Sequence, residues 1–129
     1  MSRLAYRSLG FCSAVAALTL LAAPAAAQAA PNGEALFKQR CGTCHTITPG
    51  GRQAMGPNLS GLAGRKAGSS PGFKYSPALV AWGKNWDAAT LDQFLAAPAK
   101  AVPGTRMMIA VPNAADRQAI VAYLAKPAR

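Results

Sequence analysis

The 129-residue sequence predicts an all-α fold of about three main helices, with short helices and long loops that wrap around a large apolar group. Three segments carry apolar residues at helical spacing, each behind a residue of the kind that caps helix N-termini. No segment alternates apolar and polar residues for long enough to predict a strand. Residues 49–83 are dense in glycine and proline, which indicates loops. The length predicts a single small domain.

Residues 1–27 have the layout of a secretory signal peptide. Two arginines precede an uncharged apolar stretch over residues 9–23, and small residues follow with A-x-A sites that end at Ala27 or Ala29. Cleavage at the first site leaves residues 28–129 as the mature domain and lowers the formal charge from +10 to +8, because both leader arginines are lost. The alternative is an uncleaved anchor, but the apolar stretch is short for a membrane span.

The first predicted helix runs from about Asn32 to Cys44. Asn32 is a suitable N-cap, and Glu34 lies in the first turn, where free backbone N–H groups favour negative charge. Phe37, Cys41 and Cys44 follow one another at i, i+4 and i+7, so they share one face of the helix. That face therefore carries both cysteines of the mature chain.

Two further main helices are predicted in the second half of the chain. One starts near Asp87 as its cap and ends before Pro98. The other starts at Asn113, has Asp116 in the capping-box position and ends before Pro127. Their apolar stripes are formed by Leu91, Phe94 and Leu95 in the first of these helices, and by Ile120, Tyr123 and Leu124 in the second.

The glycine- and proline-rich segment, residues 49–83, contains only a minor predicted helix over residues 76–81. A loop region of this length in so small a domain is uncommon unless a non-protein group fills the space that it encloses. The mature chain also has only seven aromatic residues with which to build a core. Both observations predict a large apolar cofactor.

The end of the first predicted helix supplies the chemistry for such a group. Cys41-Gly42-Thr43-Cys44-His45 has the C-x-x-C-H spacing of c-type haem attachment. Two thiols three residues apart lie about one helical turn apart, so each can add to one of the two haem vinyl groups. His45 can then present its imidazole to the iron.

Three other interpretations of the cysteine pair fit less well. A zinc site needs more protein ligands than two thiols and the single histidine of the chain provide. A thioredoxin-like dithiol needs a strand and helix setting that the sequence lacks. A disulfide that closes so small a loop stabilises little.

The sequence resembles the class I cytochromes c, in particular the soluble bacterial members close to cytochrome c2 and the mitochondrial carrier. The resemblance covers residues 33–126 and implies one covalently bound haem c. It rests on motifs that occur in the order typical of the family. They are Cys41-Gly42-Thr43-Cys44-His45, Gly56-Pro57-Asn58-Leu59, Gly64-Arg65-Lys66, Gly72-Phe73-Lys74-Tyr75-Ser76, Trp86, Pro103-Gly104-Thr105-Arg106-Met107 and Ala122-Tyr123-Leu124.

The ligands of the iron follow in part from the residues and in part from the resemblance. Because the chain has a single histidine, two histidines of one molecule cannot ligate the iron. The sixth ligand of the iron is therefore Met, Lys, Tyr, water or none. The resemblance assigns His45 and Met107 as the two ligands. Met108 is the immediate rival of Met107 and is otherwise expected to be a packing residue, whereas Met55 is expected at the surface or as a filler.

The resemblance also implies the residues around the haem. The carbonyl of Pro57 is expected to accept a hydrogen bond from the His45 ring and so to fix its tautomer. Tyr75 and Trp86 are expected to form hydrogen bonds with a buried haem propionate. Arg65 is expected to be the counter-charge of that propionate.

The strongly basic mature chain restricts the partners. Nucleic acid is a poor partner for an exported protein, although charge alone does not decide between partners. Arg40 adjoins Cys41, and Lys100 and Arg106 flank the Met107 segment, so positive charge is predicted around an exposed haem edge. Such a surface favours redox proteins with an acidic face. The resemblance implies a cytochrome bc1-type donor and a terminal oxidase or other periplasmic acceptor.

The expected function is that of a periplasmic, monomeric one-electron carrier with at most peripheral membrane contact. Two alternatives stay open at this point. One is a dedicated electron-transfer subunit of a single periplasmic oxidoreductase, and the other is a haem-based enzyme or sensor with an open sixth position. An enzyme is not expected, because no histidine is free to act as a base and each acidic residue has a role related to a helix.

Overall fold

The computed structural model describes residues 29–127, and the predicted signal peptide over residues 1–27 lies outside them. Five helices follow one another in this part of the chain, with no strand and one isolated antiparallel bridge between Lys66 and Asn85. The predicted all-α fold of three main helices, short helices and long loops is confirmed. The helices are α1 (Gly33–Arg40), α2 (Pro77–Trp82), α3 (Ala88–Ala96), α4 (Pro98–Ala101) and α5 (Ala114–Leu124).

The first helix begins where the sequence predicts but ends earlier. Oδ1 of Asn32 accepts hydrogen bonds from two N–H groups of the first turn, at 3.0 and 3.2 Å. The helix ends at Arg40 and does not continue to Cys44. The carbonyl of Phe37 accepts from the N–H of Gly42 as well as from the N–H of the residue before it, both at 2.8 Å. The bond from Gly42 spans five residues along the chain instead of the four of an α-helix. It ends the regular α-helical pattern, so the cysteine motif forms a turn.

Capping side chains and prolines define the helices in the middle of the chain. Asp87 and Thr90 form a reciprocal capping box at α3, with N–H to side-chain distances of 2.7 and 2.9 Å. Oγ of Ser76 accepts from the N–H of Leu79 at 3.3 Å and caps α2 as predicted. Pro98 follows the end of α3 and is also the first residue of α4, where its missing N–H costs no hydrogen bond. Sequence analysis missed this short helix.

The main contact between helices joins α1 and α5. A Cβ atom at Gly33 would lie 2.1 Å from the carbonyl oxygen of Ala119, so the two backbones approach more closely than any side chain allows. The rings of Phe37 and Tyr123 pack beside this crossing, with 5.6 Å between their centroids. Asn113 caps α5 by accepting a hydrogen bond of 3.0 Å, as predicted.

The core is formed mainly by residues of α1, α3 and α5, together with residues of the segments that connect the helices. It includes the predicted apolar residues of α3, whereas Tyr123 of the predicted α5 stripe is only half-buried. In residues 29–127, no helix is both long enough and apolar enough to cross a membrane. The core consists of Phe37, Leu62, Ala67, Trp86, Leu91, Phe94, Leu95, Val102, Val111, Ile120, Val121 and Leu124.

Backbone hydrogen bonds close the loop over residues 67–84, which we call the long loop, at its base. The N–H of Ala67 donates to the carbonyl of Lys84 at 2.8 Å, and the N–H of Trp86 donates to the carbonyl of Arg65 at 2.9 Å. A third bond of 2.7 Å joins Gly64 and Trp86. The chain therefore leaves and re-enters the helical body at one place.

We predict that Gly33→Ala lowers the free energy of unfolding by about 1–3 kcal/mol, because the added methyl group forces α1 and α5 apart. Chemical denaturation monitored by circular dichroism measures the change. Ala35→Leu is the control, since Ala35 is exposed on the same helix and leucine has nearly the helix propensity of alanine. Equal stability of Gly33→Ala and the parent protein would contradict the close crossing.

Candidate haem site

The two cysteines of the motif lie in the turn that follows α1. The carbonyl of Cys41 accepts from the N–H groups of Cys44 (3.0 Å) and His45 (2.9 Å), which folds the motif tightly. Both thiols are free and half-buried. Burial raises the pKa of the Cys41 thiol, and the neighbouring Arg40 guanidinium offsets part of this rise. Cys41 is therefore a neutral thiol at neutral pH.

The ring of His45 is oriented by the chain itself. Its Nδ1 lies 2.8 Å from the carbonyl oxygen of Pro57. A carbonyl can only accept a hydrogen bond, so Nδ1 carries the proton and the lone pair of Nε2 is left for another partner. Burial lowers the pKa of the imidazole, and the hydrogen bond to Pro57 partly opposes this effect. A neutral imidazole with Nε2 as its donor atom is the form in which histidine ligates a metal.

Gly56 forms the surface on which the His45 ring rests. A Cβ atom at this position would lie 2.4 Å from Cε1 of the ring and 2.7 Å from Nδ1. The N–H of Gly56 also donates to the carbonyl of Cys44 at 2.7 Å, which holds this backbone against the cysteine motif. Only glycine fits here without moving the ring.

Gln53 holds the segment that carries the Pro57 carbonyl, a role that sequence analysis missed. Its Oε1 accepts from the N–H of Asn58 at 2.7 Å, and its Nε2 donates to the carbonyl of Pro71 at 2.9 Å. The side-chain amide of Gln53 therefore joins the segment around Asn58 to the part of the chain around Pro71. We call this pair of hydrogen bonds the Gln53 clip. No local pattern identifies it, because Pro71 lies 18 residues away along the chain.

Asn58 and Arg65 fix the same segment from the other side. Nδ2 of the buried Asn58 donates to the carbonyls of Thr48 (2.9 Å) and Gly51 (3.1 Å), and its Oδ1 accepts from the N–H of Ser60 (2.7 Å). The guanidinium of Arg65 donates to the carbonyls of Asn58 (3.0 Å) and Ser60 (3.1 Å). Arg65, the predicted counter-charge of the propionate, thus also stabilises the backbone at Asn58 and Ser60.

The two aromatic residues assigned to a propionate have different surroundings. Trp86 is buried, and its ring centroid lies 5.2 Å from those of both Trp82 and Phe94. Tyr75 is half-buried and packs edge-on against Phe73, with 4.8 Å between the ring centroids. Their contacts with a propionate stay predictions.

The neighbouring methionines Met107 and Met108 differ in burial. Met107 is half-buried and packs against the core, and its N–H donates to Oγ1 of the buried Thr105 at 3.3 Å. Met108 is 69% exposed, so the expectation that it packs in the interior is wrong. The thioether of Met107 therefore lies against the core, whereas that of Met108 lies in solvent. Met55 is 79% exposed, as expected for a surface residue.

Together these residues fit a covalently attached haem. Two free thiols lie within one turn, and the imidazole beside them has its Nε2 available. A thioether is half-buried in a separate loop. Two sulfur atoms for attachment, with one nitrogen and one soft sulfur for the iron, are the donor set of a c-type haem with Met and His ligands.

The charges around the site differ from expectation at one residue. Arg40 lies beside Cys41 as expected, but its guanidinium donates to the carboxylate of Asp116 at 3.1 Å, which offsets part of its positive charge. Lys100 and Arg106 are exposed, and Arg106 donates only to a backbone carbonyl, that of Lys74, at 3.2 Å. The ion pairs of residues 29–127 are Lys38–Glu34, Arg40–Asp116 and Arg117–Asp92.

Comparison with known proteins gives one consistent result. The family described as cytochrome c matches residues 30–127. Cytochrome c2 of Rhodoblastus acidophilus is 48% identical over 88 residues, which cover 67% of this chain and 82% of that protein. Cytochrome c2 of Rhodomicrobium vannielii is 43% identical over 111 residues, 85% of this chain and 88% of the relative. Cytochrome c of Sesamum indicum is 41% identical and covers 72% of this chain and 85% of the plant protein.

We predict that Gln53→Leu lowers the free energy of unfolding by about 1–3 kcal/mol, because the N–H of Asn58 and the carbonyl of Pro71 both lose their partner. Gln53→Glu keeps an acceptor for the N–H but removes the donor, so it separates the two halves of the clip. We expect an intermediate loss in denaturant unfolding of the haem-loaded protein. Unchanged stability of Gln53→Leu would show that the clip does not hold the segment.

Proposed function

The chain belongs to the cytochrome c family, and on that premise we propose that Cys41 and Cys44 attach one haem c while His45 and Met107 ligate its iron. The protein is a one-electron carrier between redox complexes and not an enzyme. One observation carries the assignment of residues. The His45 ring directly follows two free thiols, and its Nδ1 is held 2.8 Å from the Pro57 carbonyl.

The residues of the cysteine motif attach and orient. The Sγ atoms of Cys41 and Cys44 would hold the haem through its vinyl groups, and Nε2 of His45 would be a ligand of its iron. The Pro57 carbonyl accepts the Nδ1 proton, which holds the ring in one tautomer and makes Nε2 a stronger donor. When bound, the haem supplies an iron that gains and loses one electron.

We assign the second protein ligand of the iron to Met107. Gly104 has a φ of +89°, so the chain bends sharply just before the ligand. The hydrogen bond from the Met107 N–H to Thr105 then anchors the backbone of that residue. A thioether sulfur favours the ferrous state and so raises the reduction potential.

We further assign Tyr75, Trp86 and Arg65 to the haem propionates. Trp86 is buried in the core beside the base of the long loop, and its indole N–H is a donor that a propionate carboxylate can accept from. The Arg65 guanidinium is half-buried and is held by two carbonyls, so its charge has a fixed position. A fixed positive charge stabilises a propionate carboxylate.

The partners that we propose are redox proteins with an acidic face, namely a cytochrome bc1-type donor and a terminal oxidase or other periplasmic acceptor. Residues 41–86 contain no acidic residue, so Lys and Arg are the charged side chains of this segment. The acidic residues lie on α1, α3 and α5 or cap α3, and three of them are paired there. The exported, periplasmic form after removal of residues 1–27 is part of this proposal, as is a monomeric state.

We predict that Met107→Ala lowers the reduction potential by on the order of 0.1 V, because loss of the soft sulfur removes the preference for ferrous iron. Protein-film voltammetry measures the shift, and the far-red absorption band of methionine–iron ligation disappears from the ferric spectrum. Met108→Ala is the matched control, since its side chain is 69% exposed. A larger shift in Met108→Ala than in Met107→Ala would transfer the ligand to position 108.

We predict that Lys100→Gln slows oxidation of the ferrous protein by hexacyanoferrate(III), a small anion, roughly twofold to threefold at low salt. Both the slowing and the parent rate decrease as salt is added, because exposed charges are screened. Lys38→Gln changes the net charge equally, but Lys38 is paired with Glu34 at 2.6 Å on α1. Stopped-flow rates that fall equally in both variants would show that only net charge matters and that Lys100 has no special position.

A further inference from the structure

Among residues 29–127, two methionines are largely exposed to solvent. Met55 is 79% exposed and Met108 is 69% exposed, whereas Met107 is half-buried against the core. A methionine in a globular protein usually fills space in the interior. These two side chains therefore contribute little to packing, and their thioether sulfurs are open to reagents in solution.

Both exposed methionines lie next to residues of the candidate site. Sδ of Met55 is 3.8 Å from Sγ of Cys44. Met108 directly follows Met107 in the chain. Each exposed sulfur thus adjoins one of the segments that we assign to the haem, and this placement relative to the haem depends on the proposed function.

We propose that Met55 and Met108 are modification sites at which hydroperoxides form methionine sulfoxide, while Met107 keeps its thioether. A sulfur lone pair attacks one oxygen of the hydroperoxide, the O–O bond breaks and an S–O bond forms. The sulfur loses two electrons and the peroxide gains them. For hydrogen peroxide, the remaining oxygen leaves as hydroxide, takes up the proton of the transferred oxygen and becomes water.

Met107 is spared for two reasons. Its side chain packs against the core, which limits the approach of a peroxide. In addition, its lone pair binds the iron in the proposed function. Oxidation at the two exposed sites therefore leaves iron ligation intact, and it turns two apolar surface side chains into polar ones that methionine sulfoxide reductases can restore.

The test treats the ferric, haem-loaded protein with a small excess of hydrogen peroxide and stops the reaction at intervals. Peptide mapping by mass spectrometry follows the addition of one oxygen atom at each methionine. We expect initial rates at Met55 and Met108 at least about twofold above the rate at Met107, in line with their exposure. The far-red band of methionine–iron ligation is recorded in the same samples and is expected to persist while both exposed sites are converted.

Variants assign the signals and separate the two proposals. Met55→Leu and Met108→Leu conserve volume and each removes one oxidation product without removing the other. Oxidation of Met107 first, or at the same rate as the exposed pair, would overturn the inference. A parent protein without the far-red band before any peroxide is added would instead refute Met107 as the ligand, and the mapped order of oxidation would still decide the inference.

Discussion

The hydrogen bond between the His45 imidazole and the Pro57 carbonyl is the contact on which the rest of the site depends. It fixes the proton on Nδ1 and so determines which nitrogen can serve as a ligand. The contact needs a backbone without a side chain at Gly56, since a Cβ there would overlap the ring. It also needs the following residue, Asn58, to be held by buried hydrogen bonds. Much of the loop structure thus serves to orient one ring.

The helices could be predicted well because their start signals are local. Asn32, Asp87 and Asn113 each accept hydrogen bonds within three residues of their own position, and such caps can be identified from the sequence alone. The ends were harder to predict. The Phe37 carbonyl accepts a second hydrogen bond that stops α1 early, and the helical spacing of the cysteines gives no sign of it. Pro98 has two roles, of which the sequence indicated only the first.

The site divides in a similar way. The spacing of Cys41, Cys44 and His45 is sufficient to indicate haem attachment, because the chemistry itself requires neighbouring residues. The Gln53 clip and the Arg40–Asp116 ion pair could not be found by such reasoning, since Gln53 lies 18 residues from Pro71 and Arg40 lies 76 residues from Asp116 in the chain. The outward direction of Met108 likewise depends on how its loop packs. Contacts between distant residues depend on how the helices and loops pack, and local sequence patterns do not show this packing.

The base of the long loop has a consequence for motion. Three backbone hydrogen bonds among residues 64–67 and 84–86 close it, and α2 is its only helix. Opening the loop also requires loss of the Gln53 clip, of the Arg106–Lys74 hydrogen bond and of the packing of Trp82 on Trp86, but the crossing of α1 and α5 can stay formed. We therefore expect residues 67–84 to open before α1 and α5 separate, so that their amide protons exchange with solvent faster than those of these two helices.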